Sequence, residues 1–240
     1  SHSKLAPYDE ANRNAPSLPP YEGPTLELLK PFEALQPDLT SIAAHIDWRM
    51  FLYFWGFRGE TLRQQLVNPK AAQTLKEGKA WLTEAMQQDR ISLRMAVGFE
   101  AATAKGNDIL LSDGSRLPML RSQAEAGGAR LAEACVEWMQ KTIYGQEHVI
   151  RPAFGYATCP DHSLKRIVFD SLQAEERLGI SLTDSYSIVP STSVCGLFIS
   201  HQEAGYFPIG QIHRQQLTDY CSRRNIGIEE GERLLSRYLV

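Results

Sequence analysis

RPAFGYATCPDH, Arg151 to His162, gathers an arginine, a tyrosine, a cysteine and an Asp-His pair around two prolines and a glycine. No regular helix runs through it. Pro152 and Pro160 each lack a backbone donor, fix φ, and bias the preceding residue toward extended geometry. Gly155 supplies the freedom that a tight chain reversal needs. The amides and carbonyls of such a segment must find partners outside a helix or a ladder. Water is one answer. A ligand is another, with Arg151 at the entrance to meet an anion.

The rest of the chain sets the bounds. Its 240 residues are 43% hydrophobic, which suffices for the core of one large domain or two small ones. The net charge is -3 and no basic block is present, so nucleic acid is not an expected partner. The longest apolar run, Met50 to Phe57, falls far short of the roughly 20 residues that cross a bilayer, so no membrane partner is expected either. Cys135, Cys159, Cys195 and Cys221 are far apart and form no CxxC pair and no zinc spacing. An even number leaves a disulfide formally open. In a long chain without a signal peptide, reduced thiols and a cytoplasmic location are expected.

Upstream of the opening stretch, residues 1–25 are rich in Pro, Asn and Glu, show no period, and predict an extended linker or strap. Asp38 or Thr40 is placed to cap a short helix through Ile46. Then comes HIDWRMFLYFWGFRGE, the most aromatic part of the chain. Most of these rings belong to a core. Asp47 admits two readings, a helix-capping carboxylate or a carboxylate held for the ammonium group of a ligand. Asn68-Pro69 opens a helix with Ala71, Leu75, Trp81, Leu82 and Met86 on its apolar face. ISLRMAVGF at 91–99 predicts a strand. Turns at Asn107-Asp108 and Ser112-Asp113-Gly114 predict antiparallel pairing of the strands around them. ARLAEACVEWMQKTIYG predicts a helix ended by Gly145, with Glu133 and Glu137 on a solvated face.

Downstream, Ser163 to Leu178 predicts an amphipathic helix closed by Gly179, and Leu182 to Val189 a strand or extended chain. Residues 197–212 predict a hairpin, with Tyr206 and Phe207 at the start of its returning strand and Pro208 placing that strand at an edge. Two helices, Arg214 to Asn225 and Ile228 to Leu239, end the sequence.

In this order the motifs resemble the activation domain of cobalamin-dependent methionine synthase. The carrying residues are HIDWRMF at 45–51, RLAEA at 130–134, IRPAFGYATCPDH at 150–162 and LGISLTDSYSIVPSTSVCGLFISH at 178–201, followed by YFPIGQI at 206–212 and DYCSRRNIGIEEGERLL at 219–235. Each piece alone is weak; the long RPA-x-GY-x-x-CPDH string is specific. The resemblance implies an α+β fold over 26–240, a curved, C-shaped domain with a twisted antiparallel sheet flanked by helices. It implies S-adenosylmethionine as ligand and reductive remethylation of cob(II)alamin as the process served, within a methyltransferase of methionine biosynthesis. The implied partners are the cobalamin-binding domain, which carries the cobalamin, and a flavodoxin-type reductant.

Site residues follow from the same resemblance. Asp47 aligns with the acid that pairs with the ligand's ammonium group, and Arg151 with the arginine that holds its carboxylate. Ala153, Gly155 and Tyr156 align with backbone contacts in the groove. Tyr206 and Phe207 stand where the family has two adjacent tyrosines, and Phe207 lacks the hydroxyl. Glu133 aligns with a glutamate at the interface with the cobalamin domain; its companion aspartate is here Ala129. The methyl transfer uses no protein nucleophile, so no catalytic residue is expected, and Cys159 and His162 are expected to be structural. A block of several tens of residues between NDILL and RLAEA is absent, which implies a smaller sheet than the full-length family version. The chain has no cobalamin-binding DxHxxG string, no zinc-binding cysteine cluster and no folate barrel. It therefore resembles either a fragment of a larger enzyme or a subunit acting in trans. The alternative is a non-catalytic module that docks on a corrinoid protein. An independent methyltransferase ranks last, because no nucleotide-binding βαβ glycine motif is present.

Overall fold

The computed structural model describes residues 5–15, 32–98, 102–124, 149–200 and 205–240. Glu133, the helix expected around it, Ala129 and Cys135 lie outside the described residues. The chain forms two compact units, one of residues 34–96 and one of residues 1–33 with 97–240. Strands β1 (Phe32–Leu35) and β2 (Met95–Gly98) pair with each other where the chain enters and leaves the smaller unit.

Polar caps start each helix of the smaller unit. Asp38 accepts from the Ser41 amide at 2.8 Å and opens α2 (Leu39–Ala43). Asp47 opens α3 (Trp48–Phe54). Thr61 and Gln64 form a reciprocal capping box on α4 (Leu62–Gln65), and Asn68 with Pro69 begins α5 (Pro69–Gln87). The core is Leu52, Ala71 and Leu75, covered by Trp48, Phe51, Phe57, Leu62 and Leu66. Gly78 sits mid-helix because the Phe51 ring lies where a Cβ would be, 2.6 Å from its Cζ. Trp81, expected on the apolar face of α5, is 60% exposed.

In the larger unit, β3 (Ala102–Lys105), β4 (Asp108–Leu111) and β5 (Arg116–Pro118) form an antiparallel meander. The expected turn chemistry is realised, shifted by one residue to Gly106-Asn107 and through Ser112-Asp113-Gly114. Two short antiparallel pairs follow: β6 (Val149–Ile150) with β9 (Ile199–Ser200), and β7 (Ser181–Leu182) with β8 (Ile188–Val189). Helices α6 (Lys165–Ser171), α7 (Ala174–Leu178), α8 (Arg214–Arg224) and α9 (Ile228–Leu235) complete the unit. Helices with antiparallel strands make the fold class α+β, as expected.

Three expectations are corrected. The 163–178 helix is broken, because Gln173 takes a left-handed φ of 48° between α6 and α7; Gly179 ends α7 as expected. The 197–212 hairpin does not form among the described residues. Ile199 pairs with Ile150 instead, and 206–211 run without regular structure to Ile212, which bridges Leu239 in parallel. Pro208 removes a ladder donor there, and Gly210 sits at φ 70°. Lastly, part of the supposedly extended arm is helical: α1 (Tyr8–Arg13) buries Tyr8 and Ala11. Tyr8 donates to Asp219 at 2.6 Å and accepts from Asn107 at 2.6 Å, while Asn12 accepts from Asn107 and from the buried Arg121. This helix is tied in by polar side chains, which a search for hydrophobic period does not detect.

Candidate functional site

The stretch 151–162 folds as two tight reversals. The Gly155 amide donates to the Cys159 carbonyl at 2.8 Å, and the Cys159 amide donates back to the Tyr156 carbonyl at 2.9 Å. Gly155 has φ 90°, which a side chain would strain. It also has no room for one: a Cβ there would stand 1.8 Å from Cε1 of His162. The glycine thus admits the imidazole ring of its own loop. The Gly155 and Tyr156 amides are turned inward, and among the described residues nothing accepts from the Ala153 amide.

The loop is fastened on both sides. Leu197 donates its amide to the Pro152 carbonyl at 3.0 Å. Three bonds join the loop to the segment after residue 205. The Arg151 amide donates to the Tyr206 hydroxyl at 2.6 Å, the Thr158 hydroxyl to the Phe207 carbonyl at 2.8 Å, and the Ile209 amide to the Ala157 carbonyl at 2.8 Å. The two sequence-distant motifs, RPAFGYATCPDH and YFPIGQI, therefore form one surface. Phe154 and Cys159 enter a core with Ile109, Leu117, Met119, Ile150, Leu164 and Ile199. Phe207 packs against the second core of Leu120, Ile209, Ile212, Leu217, Tyr220, Cys221 and Leu235. Its missing hydroxyl is matched by this half-buried ring position.

Above these cores the surface is open. Arg151 is exposed, Tyr156 is 70% exposed and Tyr206 is 63% exposed. Among the described residues nothing pairs with the Arg151 guanidinium. An exposed guanidinium is a planar fork of donors that suits a carboxylate.

Below the surface, polar groups are committed. Asp161 is 1% exposed; one of its oxygens accepts from the Ser163 amide at 2.7 Å and the other from the Tyr220 hydroxyl at 2.5 Å. Arg224 lies 3.7 Å from the same carboxylate and donates to the Ser163 hydroxyl at 2.7 Å. Burial, then the Asp161 charge, pushes the Tyr220 hydroxyl well above its ordinary range. The same two causes push the Cys159 thiol up, so it stays protonated and inert. Cys195 is pushed up to about 11, again mainly by burial. Cys159, Cys195 and Cys221 are all free thiols. Asp161, Tyr220, Arg224 and Lys165 escaped sequence reasoning: Tyr220 and Arg224 lie 59 or more positions from Asp161, and a lysine on an amphipathic helix reads as solvated.

Asp47 belongs to the smaller unit, and both of its sequence readings remain compatible with its geometry. One oxygen accepts from the Arg49 and Met50 amides, at 2.9 and 3.2 Å. Among the described residues the other faces only the Arg49 guanidinium, at 3.6 Å, and the side chain is 53% exposed. Capping therefore uses half of this carboxylate. Among the described residues, no group of three or more His, Cys, Asp or Glu side chains is placed to hold a metal ion, and no helix is long and apolar enough to cross a membrane.

An α+β module with an exposed arginine that has no ion-pair partner among the described residues, on a loop fastened to a second tyrosine-bearing segment, is the class these features define. The family model described as "Vitamin B12 dependent methionine synthase, activation domain" matches residues 38–148 and 128–225. The fold is similar to a solved structure described as the MetH reactivation domain bound to AdoHcy, with a TM-score of 0.88 and 20% sequence identity, covering 98% of each chain. The chain belongs to the family of activation domains of vitamin B12 dependent methionine synthase. Coverage of 98% on both sides means that the solved domain has nearly the same length, so the short connection between NDILL and RLAEA is no bar to this fold.

Proposed function

We propose that this chain binds S-adenosylmethionine and presents its methyl group during the reductive reactivation of methionine synthase. The observation that carries the reading is the exposed Arg151, whose guanidinium has no ion-pair partner among the described residues, on a loop that also exposes Tyr156 and whose Arg151 amide bonds the hydroxyl of the exposed Tyr206. When bound, the ligand supplies an electrophilic methyl group for cob(II)alamin carried by the cobalamin-binding domain, with an electron from a flavodoxin-type reductant. The chain's own part is to bind and orient.

Arg151 is assigned to the ligand's carboxylate, and Asp47, by the resemblance alone, to its ammonium group. Each charge-assisted bond contributes roughly 1.5–3 kcal/mol. Tyr156 and Tyr206 offer ring faces to the adenine and the sulfonium. The Ala153 amide offers a main-chain donor. Phe207 contributes its backbone, which orders Thr158. Glu133 is assigned to the interface with the cobalamin domain. No side chain of this chain acts as acid, base or nucleophile. The protein that carries this module is a cytoplasmic methyltransferase of methionine biosynthesis.

The test mixes this chain with a cob(II)alamin-loaded cobalamin domain, a flavodoxin-type reductant and methyl-labelled S-adenosylmethionine. Label is expected on the corrinoid. Tight docking without transfer of label would replace this reading with that of a docking module.

A further inference from the structure

Beneath Gly155 stands a chain of contacts that no step of the proposed binding uses. The His162 ring occupies the space under the Gly155 α-carbon. Its Nδ1 lies 2.9 Å from Nζ of Lys165. Lys165 donates in turn to the Tyr186 carbonyl at 2.8 Å. Tyr186 has a left-handed φ of 60° within a turn closed by the Thr183 and Ser187 main chains. Lys165 is 8% exposed, and no carboxylate pairs with it among the described residues. A buried ammonium held, among the described residues, by an imidazole and a carbonyl is costly, and such costs concentrate where geometry matters.

We infer that Lys165 and His162 are positioning residues that fix the height and tilt of the Gly155-Tyr156 main chain, and so of the ligand-facing Tyr156 ring. An ammonium has only protons to give. The His162 nitrogen that faces it must therefore be the acceptor, which makes the ring neutral with its proton on Nε2. A neutral imidazole held in this way is a wedge of fixed orientation, and Gly155 is shaped around it. The inference rests on the proposed binding of S-adenosylmethionine by this loop.

The arrangement carries a pH dependence. Burial, then the Lys165 ammonium, lowers the His162 pKa, with Asp161 opposing. Burial also lowers the Lys165 pKa, against a smaller opposite effect of Cys195. Both Asp161 oxygens already serve Ser163 and Tyr220, so that carboxylate is not free to turn to an imidazolium. When acid protonates His162, two cations face each other across 2.9 Å. The ring then leaves its place under Gly155, and the loop loosens.

The test has two readouts. Calorimetry gives the affinity for S-adenosylmethionine, and hydrogen exchange gives the protection factors of the Gly155 and Cys159 amides. Lys165→Met is expected to weaken binding threefold to thirtyfold, roughly, and to lower both protection factors. His162→Gln keeps bulk and an acceptor without a titrating ring, and is expected to retain most of the affinity at about pH 8. The wild type is expected to keep affinity and protection at about pH 8 and to lose them as the pH falls below the ordinary histidine value of 6.5. His162→Gln is expected not to show that loss. Wild-type affinity and protection in Lys165→Met would overturn the inference, as would the same acid profile in His162→Gln. If Lys165→Met does not fold, the two pH profiles decide alone. If the wild type binds no ligand, the functional reading fails, and the protection factors still decide the positioning role.

Discussion

The two halves of RPAFGYATCPDH do opposite things with similar residues. Residues 151–156 put an arginine and a tyrosine into solvent, and Arg151 has no ion-pair partner among the described residues. Residues 158–161 are buried, and every polar side chain among them is bonded: Thr158 to Phe207, Asp161 to Ser163 and Tyr220. Asp47 and Asp161 repeat the contrast. Both cap a helix start, but Asp161 spends both oxygens inside the fold, whereas the second oxygen of the half-exposed Asp47 meets only the loose ion pair with Arg49 at 3.6 Å among the described residues. The difference separates groups that hold the protein from groups left to hold something else. It predicts that mutations in the buried half alter stability, and those in the exposed half alter binding.

The largest expected effect is on stability. Asp161→Ala removes the partner of Tyr220 and leaves the half-buried Arg224 without its carboxylate. A loss on the order of 3–5 kcal/mol is expected in urea unfolding. A loss under about 1 kcal/mol would mean that the loop's foundation lies elsewhere. Next, Arg151→Ala is expected to leave the unfolding midpoint unchanged and to weaken S-adenosylmethionine binding by about 1.5–3 kcal/mol, roughly tenfold to a hundredfold. Asp47→Asn keeps the cap, because asparagine serves as well there, so stability is expected to hold. Its ligand affinity is expected to fall by roughly tenfold as the charge is lost. A change in stability with no change in affinity would restrict Asp47 to capping.

A smaller effect is expected at high pH. Cys195 is pushed from 9.0 up to about 11, and the Cys159, Tyr8 and Tyr220 acids are also raised. Each ionises more readily unfolded than folded, so the unfolded chain binds fewer protons in this window. Stability is then fully present below about pH 9 and falls as the pH rises toward 11. The lowered Lys165 opposes this as a single group. Unfolding midpoints that rise over this range would contradict the burial of these acids.

Much of this contrast was legible in the sequence, for identifiable reasons. Capping residues and turn glycines act locally, so Asp38, Asp47, Asn68, Gly114 and Gly179 could be placed without tertiary information. Two prolines and a glycine sufficed to exclude a helix at 151–162. The resemblance added which residues to test, and the structure brings Arg151, Ala153, Gly155, Tyr156, Tyr206 and Phe207 onto one surface. The foundation was not legible, because its partners are long-range. Tyr220 and Arg224 read as members of an amphipathic helix, and their acid lies in another motif. Gln173 gives no sequence signal for its left-handed φ. Tyr8 and Asn12 sit in a stretch whose composition resembles a linker, and they are held by Asn107, Arg121 and Asp219 rather than by a hydrophobic period.

The most direct test of the central claim is calorimetric titration of S-adenosylmethionine into the wild-type chain and into Arg151→Ala. Saturable one-to-one binding is expected for the wild type, with affinity reduced roughly tenfold to a hundredfold in the variant. No heat from the wild type at about millimolar ligand, or equal affinity in the two proteins, would contradict the account.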